Sequence, residues 1–329
     1  MKYILLFIGS LAVALTVFLV LTTSLRPGKT DELDLEKPIV VVVKATVTGQ
    51  PMKFWDVVQA GINEAAKEFG VDVIITGPDH ERQIQRQVNI VNRVIEDEPP
   101  LIILAASDYY LLAESVSEAA ARGIPVITMD SGVSSKHPVS FVATNNIEAG
   151  IKAGREMNRI LPDEPGTSIA IVSHIRETAT AIEREAGVRQ ALEDRRIAGT
   201  WFCENDEEIA YAHTKAILED PTITGIVALN EIVTLGAAQA VDDSDAADRV
   251  AVVGFDNAPQ ELAYVEAGVI EALVVQRPYN MGYMAVKTAV EYLKGNPVEA
   301  VIDTGSVLIT AENMFQREYQ ELLFPVDES

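Results

Sequence analysis

The sequence predicts an α/β protein made of two successive doubly wound parallel-sheet lobes. Three observations carry this. Short apolar runs such as Ile39-Val40-Val41-Val42-Val43 are continuous and β-branched, as in strands buried on both faces. Stretches of helical spacing separate these runs and stop at Gly or Pro. The alternation of strand and helix is completed once and then begins again near residue 147, which calls for right-handed βαβ crossovers twice over.

Taken in order, Ile39–Val43 is the first strand, and Phe54 to Phe69 is helical until Gly70 ends it. Val71–Ile75 is the second strand. The helix Glu81 to Ile95 is halted by Pro99-Pro100. Leu101–Leu104, a helix to Arg122, and Ile124–Met129 follow. The second cycle opens with a helix over Ile147–Ile160, closed by Pro162 and Pro165-Gly166. Strands are predicted at Ser168–Val172, Gly199–Cys203, Gly225–Leu229, Val250–Phe255 and Ile270–Val275, with helices between. A last helix runs from about Asn280 to Lys294 and meets Gly295-Asn296-Pro297.

The 329 residues include 48% hydrophobic and 23% charged residues, which excludes a disordered chain and implies a sizeable core. Lys and Arg number 26 against 49 Asp and Glu, a net charge of -23. Such a surface repels phosphate backbones, so nucleic acid is not an expected partner. The one cysteine, Cys203, forms no internal disulfide and no C-x-x-C pair.

Tyr3 to Leu25 holds 23 residues without a charge, flanked by Lys2 and Arg26. At a rise of about 1.5 Å per residue it spans a hydrocarbon core of about 30 Å. Residues 1–26 are therefore expected to be a transmembrane or signal helix, an uncleaved anchor being favoured because the run exceeds a signal-peptide core. Residues 27–37 form a tether.

In open α/β sheets ligands bind beyond the carboxyl ends of the strands. The residues found there are Asp130-Ser131, Asn230-Glu231, Asp256-Asn257 and Gln276-Arg277. Phe54-Trp55 begins the helix after the first strand, and Arg184 lies on the helix after Ser168–Val172. Carboxylates, amides, a guanidinium and adjacent aromatic rings suit a polyhydroxylated ligand. Planar polar groups hold vicinal hydroxyls in bidentate fashion, and the C–H faces of a sugar ring pack on aromatic faces. Each residue also has a plainer use. Asp and Asn cap helices, Phe54 and Trp55 suit helix packing, and Arg184 in Glu183-Arg184-Glu185 suits a solvated ion pair.

Five segments together resemble the type I periplasmic sugar-binding proteins, in their ribose-binding-like group. They are Ile124–Asp130, Gly150 with Gly154, Glu183–Val188, Val252–Asp256 and Gln276–Gly282. The resemblance runs from Ile39 to Thr310. It implies the periplasmic binding protein type I fold, with lobes joined by a three-strand hinge near Thr144, Gln276 and Asp303. The N-terminal lobe would comprise 38–144 plus 277–304, and the C-terminal lobe 145–276 plus 305–329. It implies ligand roles for Phe54, Trp55, Asp130, Ser131, Arg184, Asn230, Asp256 and Gln276. Ribose binders carry Arg where Ser131 stands, an amide where Met52-Lys53 stands, and a third aromatic near 203–206.

The function so implied is an extracytoplasmic receptor that closes on a monosaccharide or polyol. The partner would be an ABC permease or, in the alternative, a membrane histidine kinase. No cofactor, metal or catalysis is expected. No G-x-G-x-x-G follows the first strand, and His80, His137, His174 and His213 are scattered. His174 follows a strand, where a turn role is favoured over a place in the cleft. A LacI-type regulator is disfavoured, because an apolar run stands where its helix-turn-helix would be.

Overall fold

The computed structural model describes residues 35–46, 54–162 and 164–324. The apolar run at 3–25, most of the tether and Met52-Lys53 lie outside the described residues. Among the described residues no helix is long and apolar enough to cross a membrane.

β1 (Ile39–Val42) lies between β2 (Val73–Thr76) and β3 (Ile102–Leu104), parallel to both. β4 (Val126–Met129), β5 (Ser140–Ala143) and β11 (Val301–Asp303) extend this parallel sheet to the order β11-β5-β4-β3-β1-β2. The second sheet repeats the plan. β6 (Ser168–Ser173) lies between β7 (Ile197–Phe202) and β8 (Ile223–Ala228), followed by β9 (Ala251–Phe255), β10 (Ala272–Gln276) and β12 (Ser306–Ile309). The architecture is thus the two-lobed α/β fold that the alternation predicts.

The structure adds to that expectation in three places. β5, β11 and β12 are strands that no apolar run announces. β11 is an exposed edge strand, and β12 runs antiparallel to β10, so the second sheet is not wholly parallel. The helix expected from Glu81 begins only at Ile84, which leaves Glu81 in the preceding connection. Strand boundaries shift by at most two residues, because sequence periodicity marks core-facing positions rather than ladder ends.

Strands buried on both faces feed two cores with alternate residues. In β6, Ala170 and Val172 enter one cluster, while Ile169 and Ile171 enter the other. β8 divides Ile226 and Ala228 from Val227 in the same way.

Ten helices cover these sheets among the described residues. They are α1 (Phe54–Phe69), α2 (Ile84–Glu96), α3 (Leu111–Ala121), α4 (Asn146–Ile160), α5 (Ala179–Ala191), α6 (Glu207–Ile217), α7 (Glu231–Asp242), α8 (Pro259–Ala267), α9 (Pro278–Leu293) and α10 (Arg317–Leu323). Two pairs meet with a glycine on each helix. α1 crosses α9 at Gly61 and Gly282, and α4 crosses α5 at Gly150 and Gly187. A Cβ on Gly61 would stand 2.1 Å from the Tyr279 carbonyl oxygen, and one on Gly187 2.1 Å from that of Ile147. Each contact fixes the helix that presents site residues, α1 for Phe54 and Trp55 and α5 for Arg184.

Candidate functional site

Both sheets reverse strand order beside their first strand, and the carboxyl ends there face a shared cavity of about 880 Å³. Asp130 follows β4 and Asp256 follows β9, both with left-handed backbone (φ 60° and 77°). The N–H of Asp130 donates to the Val142 carbonyl at 3.0 Å, and that of Asp256 to Val274 at 3.0 Å. The ladder thus continues through each Asp while its backbone turns. Asp tolerates this region better than most residues.

In the first lobe Lys44, just past β1, donates to Asp130 Oδ2 at 2.7 Å, with both side chains nearly buried. Phe54 and Trp55 form an edge-to-face pair with centroids 5.2 Å apart. The Trp55 indole N–H donates to Glu81 Oε1 at 2.7 Å. Burial raises the Glu81 carboxyl above its ordinary range, opposed by Lys44 and the indole hydrogen bond.

In the second lobe Arg184 is buried. Its Nε donates to Asn146 Oδ1 at 2.9 Å and its Nη1 to the Leu229 carbonyl at 2.8 Å, with the guanidinium over the Phe255 ring. It is therefore no solvated ion pair. Burial lowers its pKa, with Asp256 and Asp130 acting the other way. Asp256 accepts from the Glu231 backbone N–H at 3.0 Å and from Gln276 Nε2 at 2.7 Å. Burial still raises its pKa, against Arg184, Gln276 and that N–H. Asn230 serves twice. It caps α7 by accepting from the Val233 N–H, and it donates to Asn205 at 2.7 Å on the cavity wall.

Of the eight expected residues, Phe54, Trp55, Asp130, Arg184, Asn230, Asp256 and Gln276 line the cavity, and Ser131 does not. Ser131 is fully buried behind it, where its carbonyl accepts from the Ala106 N–H. His174 lines the cavity, contrary to the turn role favoured for it. Burial, then Arg184 and Lys44, push its pKa well below the usual imidazole range, so it is neutral. Phe202 lies under the Arg176 guanidinium and Trp201 packs on the second-lobe core, so Asn205 stands where a third aromatic was sought.

Sequence reasoning passed over Lys44 and Glu81, and it left Glu231 out of the ligand set. Lys44 was findable as the first polar residue after a buried strand.

Direct bonds cross from lobe to lobe at the rim. The Phe54 N–H donates to Glu231 Oε2 at 3.4 Å, Arg82 Nη1 reaches Asp206 Oδ2 at 3.0 Å, and the Tyr109 N–H donates to the Glu177 carbonyl at 2.8 Å.

A two-lobed α/β fold with a polar and aromatic cavity between its sheets defines a solute-binding class. The chain belongs to the periplasmic binding protein domain family, matched over residues 39–297. It is 24% identical over 298 residues to the ribose import binding protein of Bacillus subtilis, covering 89% of this chain and 95% of that one. It also resembles a carbohydrate transporter solute-binding protein from Agrobacterium radiobacter solved with D-arabinose. There the TM-score is 0.82 and the identity 29%, over 88% of this chain and 99% of that chain. A sugar transporter structure from Clostridium phytofermentans matches with TM-score 0.77 and 31% identity, over 84% and 99%.

Proposed function

We propose that this chain is an extracytoplasmic receptor that closes around a monosaccharide or polyol and delivers it to an ABC permease. The carrying observation is the cavity, into which both lobes send planar polar groups while the first lobe adds two aromatic rings. Its volume suits a small ligand enclosed on most sides. In this reading the ligand favours the closed form, because only closure brings Asp130 and Arg184 onto one molecule. The lobes are 38–144 with 277–304 and 145–276 with 305–329, hinged at their three connections. Relatives whose names specify ribose, D-allose and D-apiose binding support a sugar.

No bond is made or broken in this reading. Burial pushes the Cys203 thiol up to about 12, which makes it a poor nucleophile. The apolar run at 3–25 favours a chain held at the membrane, and the sugar-binding body is what places it on the outer face in this reading. Such tethering also suits a second reading, a sensor that presents sugar to a histidine kinase at high effective concentration. Sugar uptake measured beside sensor-dependent transcription in a deletion strain separates the two.

A thermal-shift screen over D-ribose, D-arabinose, D-allose, D-fucose, D-tagatose and myo-inositol tests the main reading. A ligand at 100 times its Kd adds about 2.7 kcal/mol of stability. Arg184→Met and Asp256→Asn are expected to stay folded and lose most of that shift. Full responses in both variants would mean that the ligand sits elsewhere.

A further inference from the structure

We propose that Glu81 is a ligand-contacting residue that sets specificity. Its carboxylate accepts hydrogen bonds from sugar hydroxyls and turns away ligands that carry phosphate or carboxylate at that end. This rests on the sugar-receptor reading above and narrows its substrate class to uncharged, donor-rich sugars.

Glu81 lies in the connection between β2 and α2 and lines the cavity. One oxygen is pinned by the Trp55 indole N–H at 2.7 Å, so the group is held at the edge of the aromatic pair. An ionised carboxylate accepts at about four lone-pair sites, and the indole occupies one. The remaining acceptors need donors from whatever fills the cavity.

The rest of the wall points the same way. Asp130 and Asp256 are further acceptors, and Gln276, 3% exposed, keeps an Oε1 to which nothing donates. Against these carboxylates stand two cations, Lys44 and Arg184. Around Glu81, Asp130 and Asp256 the wall therefore carries more carboxylates than cations. Sugar hydroxyls donate hydrogen bonds to these carboxylates and bring no charge. A phosphate or carboxylate supplies none and places a further negative charge among three carboxylates in a region of low dielectric.

The test is titration calorimetry of the full chain with D-ribose, D-arabinose and D-allose, each paired with its terminal phosphate ester. The wild type is expected to bind at least one neutral sugar and to prefer it over its phosphate by more than 100-fold. Glu81→Gln keeps an acceptor for Trp55 and removes the charge. It is expected to weaken the neutral sugar about tenfold, as a charged hydrogen bond becomes a neutral one, and to narrow the preference by at least as much. Glu81→Asp keeps the charge but withdraws its reach, so it should weaken the sugar while the phosphate stays excluded. Melting without sugar shows that each variant is folded, and if one is not, the other decides.

Unchanged sugar affinity in the folded variants would overturn the assignment to Glu81 while leaving the receptor reading intact. So would equal binding of a sugar and its phosphate by the wild type. A wild type that binds neither these three sugars nor D-fucose, D-tagatose or myo-inositol overturns the receptor reading and this inference with it.

Discussion

Glu261, on the first turn of α8, is a carboxylate with no exposed surface. One oxygen accepts the Ala258 N–H at 2.6 Å, and the other has no donor. Burial, then the charges of Glu231 and Asp256, hold its pKa well above the carboxylate range. A raised folded-state pKa favours the native state below the unfolded value, and that contribution is lost as pH rises through the folded value. Glu261→Gln has nothing to titrate. Its stability relative to the wild type should therefore climb from about pH 5 upward, by about 1.4 kcal/mol for each unit of pKa displacement. Urea unfolding at pH 5, 7 and 9 measures this, and a difference that stays flat with pH would refute it. His174 is displaced in the opposite sense for an imidazole, held neutral by burial. Below about pH 6.5 the unfolded chain takes up a proton that the native chain refuses, so His174 erodes stability on the acid side.

At the scale of elements, the two glycine-lined helix crossings decide where the site residues stand. Gly187 is one turn beyond Arg184 on α5, and a Cβ there would meet the Ile147 carbonyl of α4. Backbone cannot step aside as a side chain can, so Gly187→Ala should force the helices apart. The expected loss is about 1–3 kcal/mol, the usual range for overpacking, with a fall in sugar affinity as Arg184 leaves its bonds to Asn146 and Leu229. Denaturation paired with sugar titration checks both, and an unchanged affinity would show that α5 shifts without moving Arg184. The same scale explains what the sequence made legible. Central strands announce themselves because burial on both faces demands unbroken apolar runs, as in Ile39–Val42. β11 and β12 do not, because edge strands need burial on only part of their length, and β5 does not, because its four residues open with Ser140. Asp130, Asp256 and Gln276 could be found because strand ends face the cavity by topology. Ser131 fails the same rule because the left-handed turn at Asp130 sends the next residue behind the sheet. Lys44 and Glu81 were obscured for a tertiary reason. Each is a charge whose burial makes sense only beside a partner distant in sequence, Asp130 for one and Trp55 for the other.

For the whole molecule, the useful distinction is between contacts that recognise a ligand and contacts that hold the lobes together. Arg82 and Asp206 meet across the cavity mouth with side chains 57% and 26% exposed. An exposed pair of this kind is worth about 0–1 kcal/mol and is screened by salt. It therefore acts on the rate of opening far more than on the choice of ligand. Arg82 is the partner to change, because Asp206 also caps α6 by accepting the Glu208 and Ile209 N–H groups, and its loss would disturb that helix too. Arg82→Ala is expected to speed sugar dissociation by up to about fivefold at low ionic strength. The rate of association and the order of preference among sugars should not change. In about 0.5 M salt the variant and the wild type should converge, since the ion pair is then largely screened. The Phe54–Glu231 and Tyr109–Glu177 bonds remain in either protein, so closure itself should survive. Stopped-flow tryptophan fluorescence over a salt series gives both rates. A dissociation rate that is equal in the two proteins at every salt concentration would show that the mouth pair does not bear on opening.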